Sequence, residues 1–158
     1  MDRAWNNDSS LSEHAKKVEA WLLQVRHLKQ ELDYLRENIE FLNQRMTSPP
    51  SYSSSNTKVQ LSSRREADFE RLVAIKDNME RELQEKQQQF DRLKTQAEQT
   101  IRKYTMFKSQ TVLLWYYILG FPWKVVAERV DRTERTIYRI RNEALEKLIL
   151  PDDAIWLE

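Results

Sequence analysis

Cysteine is absent from this 158-residue chain, and glycine occurs once, at Gly120. Without cysteine there is neither a disulfide framework nor a thiolate metal site. One glycine cannot build a glycine-rich phosphate loop. Histidine occurs twice, at His14 and His27, thirteen residues apart on a heptad pattern. That pattern suits solvated or seam side chains better than a metal pair. No apolar run reaches the ~18 residues of a membrane-spanning helix. The amino terminus, MDRAWNNDSS, lacks the apolar core of a signal peptide. The serines cluster without a histidine nearby, and the carboxylates lie along solvated helical patterns. The expectation is a cytoplasmic protein with no catalytic, cofactor or metal site and no membrane partner.

What is present is charge and helical periodicity. Charged residues make up 32% of the chain, a composition that suits long solvent-exposed helices. The net charge of +1 hides an asymmetry. Residues 101–150 hold ten Lys and Arg against five Asp and Glu, whereas residues 1–100 are nearly balanced. The positive excess therefore falls on the carboxy-terminal third, where phosphate contact would need it.

Residues 11–46 carry a heptad seam of Leu11, His14, Val18, Trp21, Val25, Leu28, Leu32, Leu35, Ile39, Leu42 and Met46. Spacings of 3 and 4 alternate without a slip, as in a coiled coil. Ser12 is a suitable amino-terminal cap. Such a helix cannot bury its seam alone. Residues 65–104 supply a second seam: Phe69, Leu72, Lys76, Met79, Leu83, Lys86, Phe90, Leu93, Ala97, Ile101 and Tyr104. Between them, TSPPSYSSSNTKVQLSS (47–63) has seven serines and the pair Pro49–Pro50, and reads as a mobile loop. The simplest arrangement is an antiparallel hairpin. The expected fold is therefore all-α. Residues 1–104 form the hairpin, and residues 105–158 form a separate helical domain with enough apolar residues for its own core.

That last domain begins at a break over Thr105–Ser109, with Ser109 as a cap. A helix through Val112, Trp115 and Leu119 follows. Gly120 falls where it should end in a left-handed residue, and Pro122 suits the start of the next helix. Trp123–Leu148 then reads WKVVAERVDRTERTIYRIRNEALEKL. Val126, Ala127 and Val130 share one face of a first short helix. Ile137, Ile140, Ala144 and Leu148 form an apolar stripe on a second. Ala127 is the small residue needed at a helix crossing. Asp131 can take the positive φ of a tight turn, and Thr133 can cap the second helix. This is a helix-turn-helix pattern, and its second helix, 134–148, shows Glu134, Arg135, Tyr138, Arg139 and Asn142 on the outward face. Such a face fits a major groove. Lys108, Lys124, Arg132, Thr133 and Arg141 are candidate phosphate contacts. Ile155, Trp156 and Leu157 are too apolar for a solvated tail and should fold back on the domain or enter a dimer contact.

From Thr111 onward the chain resembles region 4 of the sigma-70 family, which reads the −35 promoter element. The run RTERTIYRIRNEALEKL follows that family's recognition helix without a gap. The resemblance covers about a quarter of the chain and puts the base-reading positions at Glu134, Arg135, Tyr138 and Arg139. Asp131 stands where the family has glycine, and Arg132 where it has an apolar residue. The order of parts is also similar to phage late-gene transcription activators of the RinA and ArpU type: a Ser/Pro break after a first helical segment, a coil, then a sigma-like domain. This resemblance implies a phage or prophage of a low-GC Gram-positive host.

The expected function is sequence-specific recognition of double-stranded DNA in transcription regulation, as a late-gene activator. The coiled coil would serve homodimerisation or contact RNA polymerase. Two alternatives belong to other classes. A phage small terminase subunit also combines a helix-turn-helix with coils, in the opposite order, and would assemble as a ring. A structural coiled-coil adaptor would show no salt-sensitive DNA binding.

Overall fold

In a computed structural model of the chain, the described residues are 11–47 and 58–157. Their regular structure is entirely helical. Helix α1 spans Glu13–Thr47 and α2 spans Lys58–Tyr104. Helix α3, Phe107–Leu113, runs on into a π-helical turn, Leu114–Ile118. Helices α4, Trp123–Val130, and α5, Glu134–Lys147, complete the chain. No described helix is long and apolar enough to cross a membrane. The all-α hairpin followed by a helix-turn-helix is the architecture the periodicity predicts.

Two boundaries differ from the sequence reading. The loop expected over 47–63 is shorter, because α2 already starts at Lys58. The run KVQLSS has no proline or glycine, so nothing stops α2 from extending back through it. Residues 48–57 of that loop lie outside the described residues. Ser109 is not a cap: it lies inside α3, whose capping residue is Met106, with no side-chain capping bond.

The chain divides into two compact units, Met1–Gln30 with Gln89–Glu158, and Glu31–Gln88. In the first, Leu11 just before α1 and Ala15, Val18, Trp21, Leu22, Val25 and Leu28 of α1 are buried, as are Phe90, Leu93, Ala97 and Ile101 of α2. Helices α3, α4 and α5 pack on one another around Val112, Val126, Ala127 and Ile137. The amino-terminal stretch of α1 is bonded directly to these helices. Ser12 caps α1 through the amide of Ala15. Its own amide and hydroxyl donate to the Glu146 carboxylate on α5. These bonds, the side-chain one first, hold the Glu146 carboxyl below the usual carboxylate range. The His14 ring is bonded through Nε2 to the Leu148 carbonyl.

After α5 the chain runs as an extended strap along both long helices. The Trp21 indole and the Gln24 amide donate to the Ile155 carbonyl at 3.0 and 3.1 Å. The Ile155 amide donates to the Gln96 side chain, which in turn donates to the Asp153 carbonyl. The apolar tail thus folds back, and two glutamines satisfy its backbone in place of sheet partners.

The second unit contains the remaining parts of α1 and α2. They run antiparallel: with Lys86 against Glu31, a parallel pair would put Thr47 and Lys58 roughly 65 Å apart, beyond the reach of residues 48–57. Leu32, Leu35 and Leu42 are buried. The α2 seam here is only half covered, which explains why lysines are tolerated in it. Lys76 reaches Glu80, and Lys86 reaches Glu31 at 2.7 Å, each laying its stem along the seam. The Glu31 bond raises the Lys86 pKa above its ordinary value.

Candidate nucleic-acid interface

The turn between α4 and α5 has the geometry its residues suggest. Asp131 adopts φ 57° and ψ 51°, the left-handed region open to Asp at modest cost. The Arg132 amide then closes on the Ala127 carbonyl, and the Asp131 amide on that of Glu128. Together these two bonds form a Schellman cap, which satisfies carbonyls the ended helix leaves open. Thr133 caps α5 by accepting from the Thr136 amide at 3.2 Å. Glu134 lies in the first turn, where the helix dipole favours a carboxylate.

Helix α3 ends as abruptly. Gly120 takes φ 82°, and a side chain there would also meet Lys29. The π-helical turn widens the helix just before, with the Leu119 amide reaching back to Leu114. The closing bond from Phe121 therefore falls on the Trp115 carbonyl instead of that of Tyr116. The Tyr116 carbonyl is taken by Arg26 of α1 at 2.8 Å, and that guanidinium also covers the Tyr116 ring. An arginine of the coil thus seals the end of α3.

The candidate DNA-contacting residues separate into two groups. Arg135 and Arg139 are exposed one turn apart on α5, and Glu134 and Asn142 are half-buried. Lys108, Lys124, Arg132 and Thr133 are exposed. Lys124, Arg132, Thr133 and Glu134 line an open groove at the turn, together with Glu128, Asp131 and Thr136. The Thr133 hydroxyl is committed to the cap and also donates to Thr136.

Tyr138 and Arg141 do not belong on the outward face; they are 5% and 3% exposed. Tyr138 meets the Trp123 ring edge-on, and Trp123 stacks on Tyr116 with centroids 3.6 Å apart. The Arg141 guanidinium lies over both Trp123 and Tyr138. It is 3.8 Å from Glu19 of α1 and donates through Nε to Asn142. The Tyr117 hydroxyl donates to the same Glu19 carboxylate at 3.0 Å. Burial, and then the Glu19 charge, push the Tyr117 pKa well up, so the phenol stays protonated and donating. The cause is angular. Tyr138 and Arg141 lie three residues apart on the flank of α5 that the aromatic cluster covers. A helical wheel of 134–148 alone cannot show that α1 brings a carboxylate to that flank. No sequence signal marks Glu19, which reads as one more solvated coil residue.

Among the described residues, no group of three or more His, Cys, Asp or Glu side chains is placed to hold a metal ion. Residues 45–149 match the family described as "Protein of unknown function (DUF1492)". The chain belongs to this family. The DUF1492 match takes in all of α2 to α5, and so the whole helix-turn-helix. Most of α1 lies outside it, including Glu19 and Arg26. No curated protein and no solved structure matches the chain.

Proposed function

We propose that the protein binds double-stranded DNA sequence-specifically and regulates transcription, with α5 in the major groove. The observation that carries this reading is the joint geometry of the turn. Asp131 is left-handed, Thr133 caps α5, and Arg135 and Arg139 project from the first turns of a helix whose other faces are covered. Arginine can donate two hydrogen bonds to guanine, the commonest specific contact in the major groove. Arg135 and Arg139 are the proposed base readers, with Glu134 and Asn142 beside them. Lys108, Lys124 and Arg132 are the proposed phosphate contacts. Tyr138 and Arg141 support the reading helix from behind. The resemblance to sigma-70 region 4 supports the same assignment and, with the likeness to phage late-gene activators, suggests an activator.

The second unit gives this proposal its other half. Tyr34, Phe41, Phe69 and Ile75 are exposed there. They offer apolar surface for a homodimer or for RNA polymerase. The test is enrichment of genomic fragments by the purified full chain, followed by anisotropy on the enriched sequence. Salt-sensitive, competitor-resistant binding that Arg135→Ala and Arg139→Ala each weaken is the expected result. No enrichment and no salt-dependent binding would leave a protein-binding adaptor as the better reading.

A further inference from the structure

The corner between α2 and α3 combines three features that the fold itself does not use. Met106 and Phe107 are 71% and 83% exposed, among the most exposed large apolar residues described. Phe107 also has φ 54°, the left-handed region in which a bulky side chain is strained. A phenylalanine held in that conformation gains no burial in return. Strained residues of this kind cluster at functional sites. The charges nearby are of one sign. Arg102, Lys103 and Lys108 are exposed around the corner, and no acidic residue occurs between Glu98 and Glu128. An exposed aromatic ringed by cations suits a ligand with flat apolar faces on an anionic backbone, which is the chemistry of nucleic acid. Helix α3 packs on both α4 and α5, so this corner belongs to the same three-helix body as Arg135 and Arg139.

We infer that this corner is a second DNA contact, outside the major-groove helix. Phe107, with Met106 beside it, wedges against a base step, and Arg102, Lys103 and Lys108 hold the flanking phosphates. The inference rests on the proposed DNA-binding function and adds a shape-reading element to it. Its consequence is a preference for duplexes that are easily unstacked at one point beyond the sequence read by α5.

Phe107→Gly in the full chain tests it, with mixed-sequence duplex DNA as the probe. Glycine relieves a positive φ, so the variant should melt at a higher temperature than the wild type. Its affinity should nevertheless fall roughly tenfold, the scale of one lost base–aromatic contact. The slope of log affinity against log salt should not change, because no cation is lost. Lys103→Ala and Lys108→Ala should each lower that slope by about one. Higher stability with unchanged affinity would overturn the inference and make Phe107 a contact for a protein partner or for none. A lower melting temperature would show a structural role, and would overturn it equally. Loss of binding in Arg135→Ala with full binding in Phe107→Gly would sink the wedge and spare the DNA-binding function. A wild type that binds no duplex at any salt would sink both.

Discussion

Two arginines on one helix, Arg139 and Arg141, show how far burial separates identical side chains. Arg139 is solvated, and removing it should leave the melting temperature unchanged while discrimination among DNA sites falls by ~1–3 kcal/mol. Arg141 is enclosed between two aromatic rings and Glu19. Arg141→Ala would empty a buried site and take the guanidinium from the half-buried Glu19 carboxylate, which keeps its bond from Tyr117, and a loss of about 2 kcal/mol in urea unfolding is expected. An unfolding midpoint equal to the wild type would remove Arg141 from its supporting role. Glu146 offers a test in pH. Its carboxyl is held below the ordinary value by the two bonds from Ser12. The folded pKa is the lower one, so this contribution is whole above the ordinary carboxylate value near 4.5 and fades as pH falls through the folded value. Glu146→Gln should therefore narrow its stability gap to the wild type as pH drops from 7 towards 3. A gap independent of pH would show that the ionised carboxylate is not what matters.

At the scale of elements, α4 and α5 are held in register by a turn with a residue other than glycine at its left-handed position. Asp131→Gly should stabilise the chain by roughly 0.5–1 kcal/mol, because the αL conformation costs glycine nothing. Thermal melting checks this, and a drop in melting temperature would mean that the Asp131 side chain contributes more than its backbone costs. Both the αL position and the Thr133 cap were legible in the sequence. They are local, and the order Val-Asp-Arg-Thr-Glu between two apolar stripes leaves few other turns. The start of α2 and the cap of α3 were less legible. Helix ends are decided by small local differences, and Ser109 offered a capping hydroxyl that the fold does not use.

At the scale of the molecule, the carboxy-terminal helices share their compact unit with the ends of the coil. Residues 105–158 read as a self-sufficient domain, yet Trp21, Leu22 and Val18 of α1 are fully buried in the same unit. Trp21→Ala should cost about 3–5 kcal/mol, the range for emptying a large buried site. The isolated fragment 105–158 should unfold without a cooperative transition in calorimetry. A sharp transition near that of the full chain would show that α1 is dispensable. The other unit permits a contrasting experiment. Leu32→Asp with Leu35→Asp puts two charges into a buried seam and should abolish helicity there. The near-UV signal of Trp115 and Trp123, in the first unit, should persist.

Much of this protein follows from sequence alone. The heptads required two long helices, the Pro49–Pro50 pair predicted a break between them, and the 3.6-residue stripes with Gly120, Asp131 and Thr133 set out the helix-turn-helix. These are properties of period and of backbone preference, and both are local. Which flank of α5 meets solvent was decided only in three dimensions. Tyr138 and Arg141 look as available as Arg135 and Arg139 until Trp123 packs on Tyr138 and α1 brings Glu19 to Arg141. The same holds for Arg26, whose partner is a carbonyl ninety residues away, and for the strap held by Gln24 and Gln96. Polar side chains on a coil look solvated in any one-dimensional pattern. Whether they meet water or a distant backbone depends on long-range packing, which periodicity does not encode.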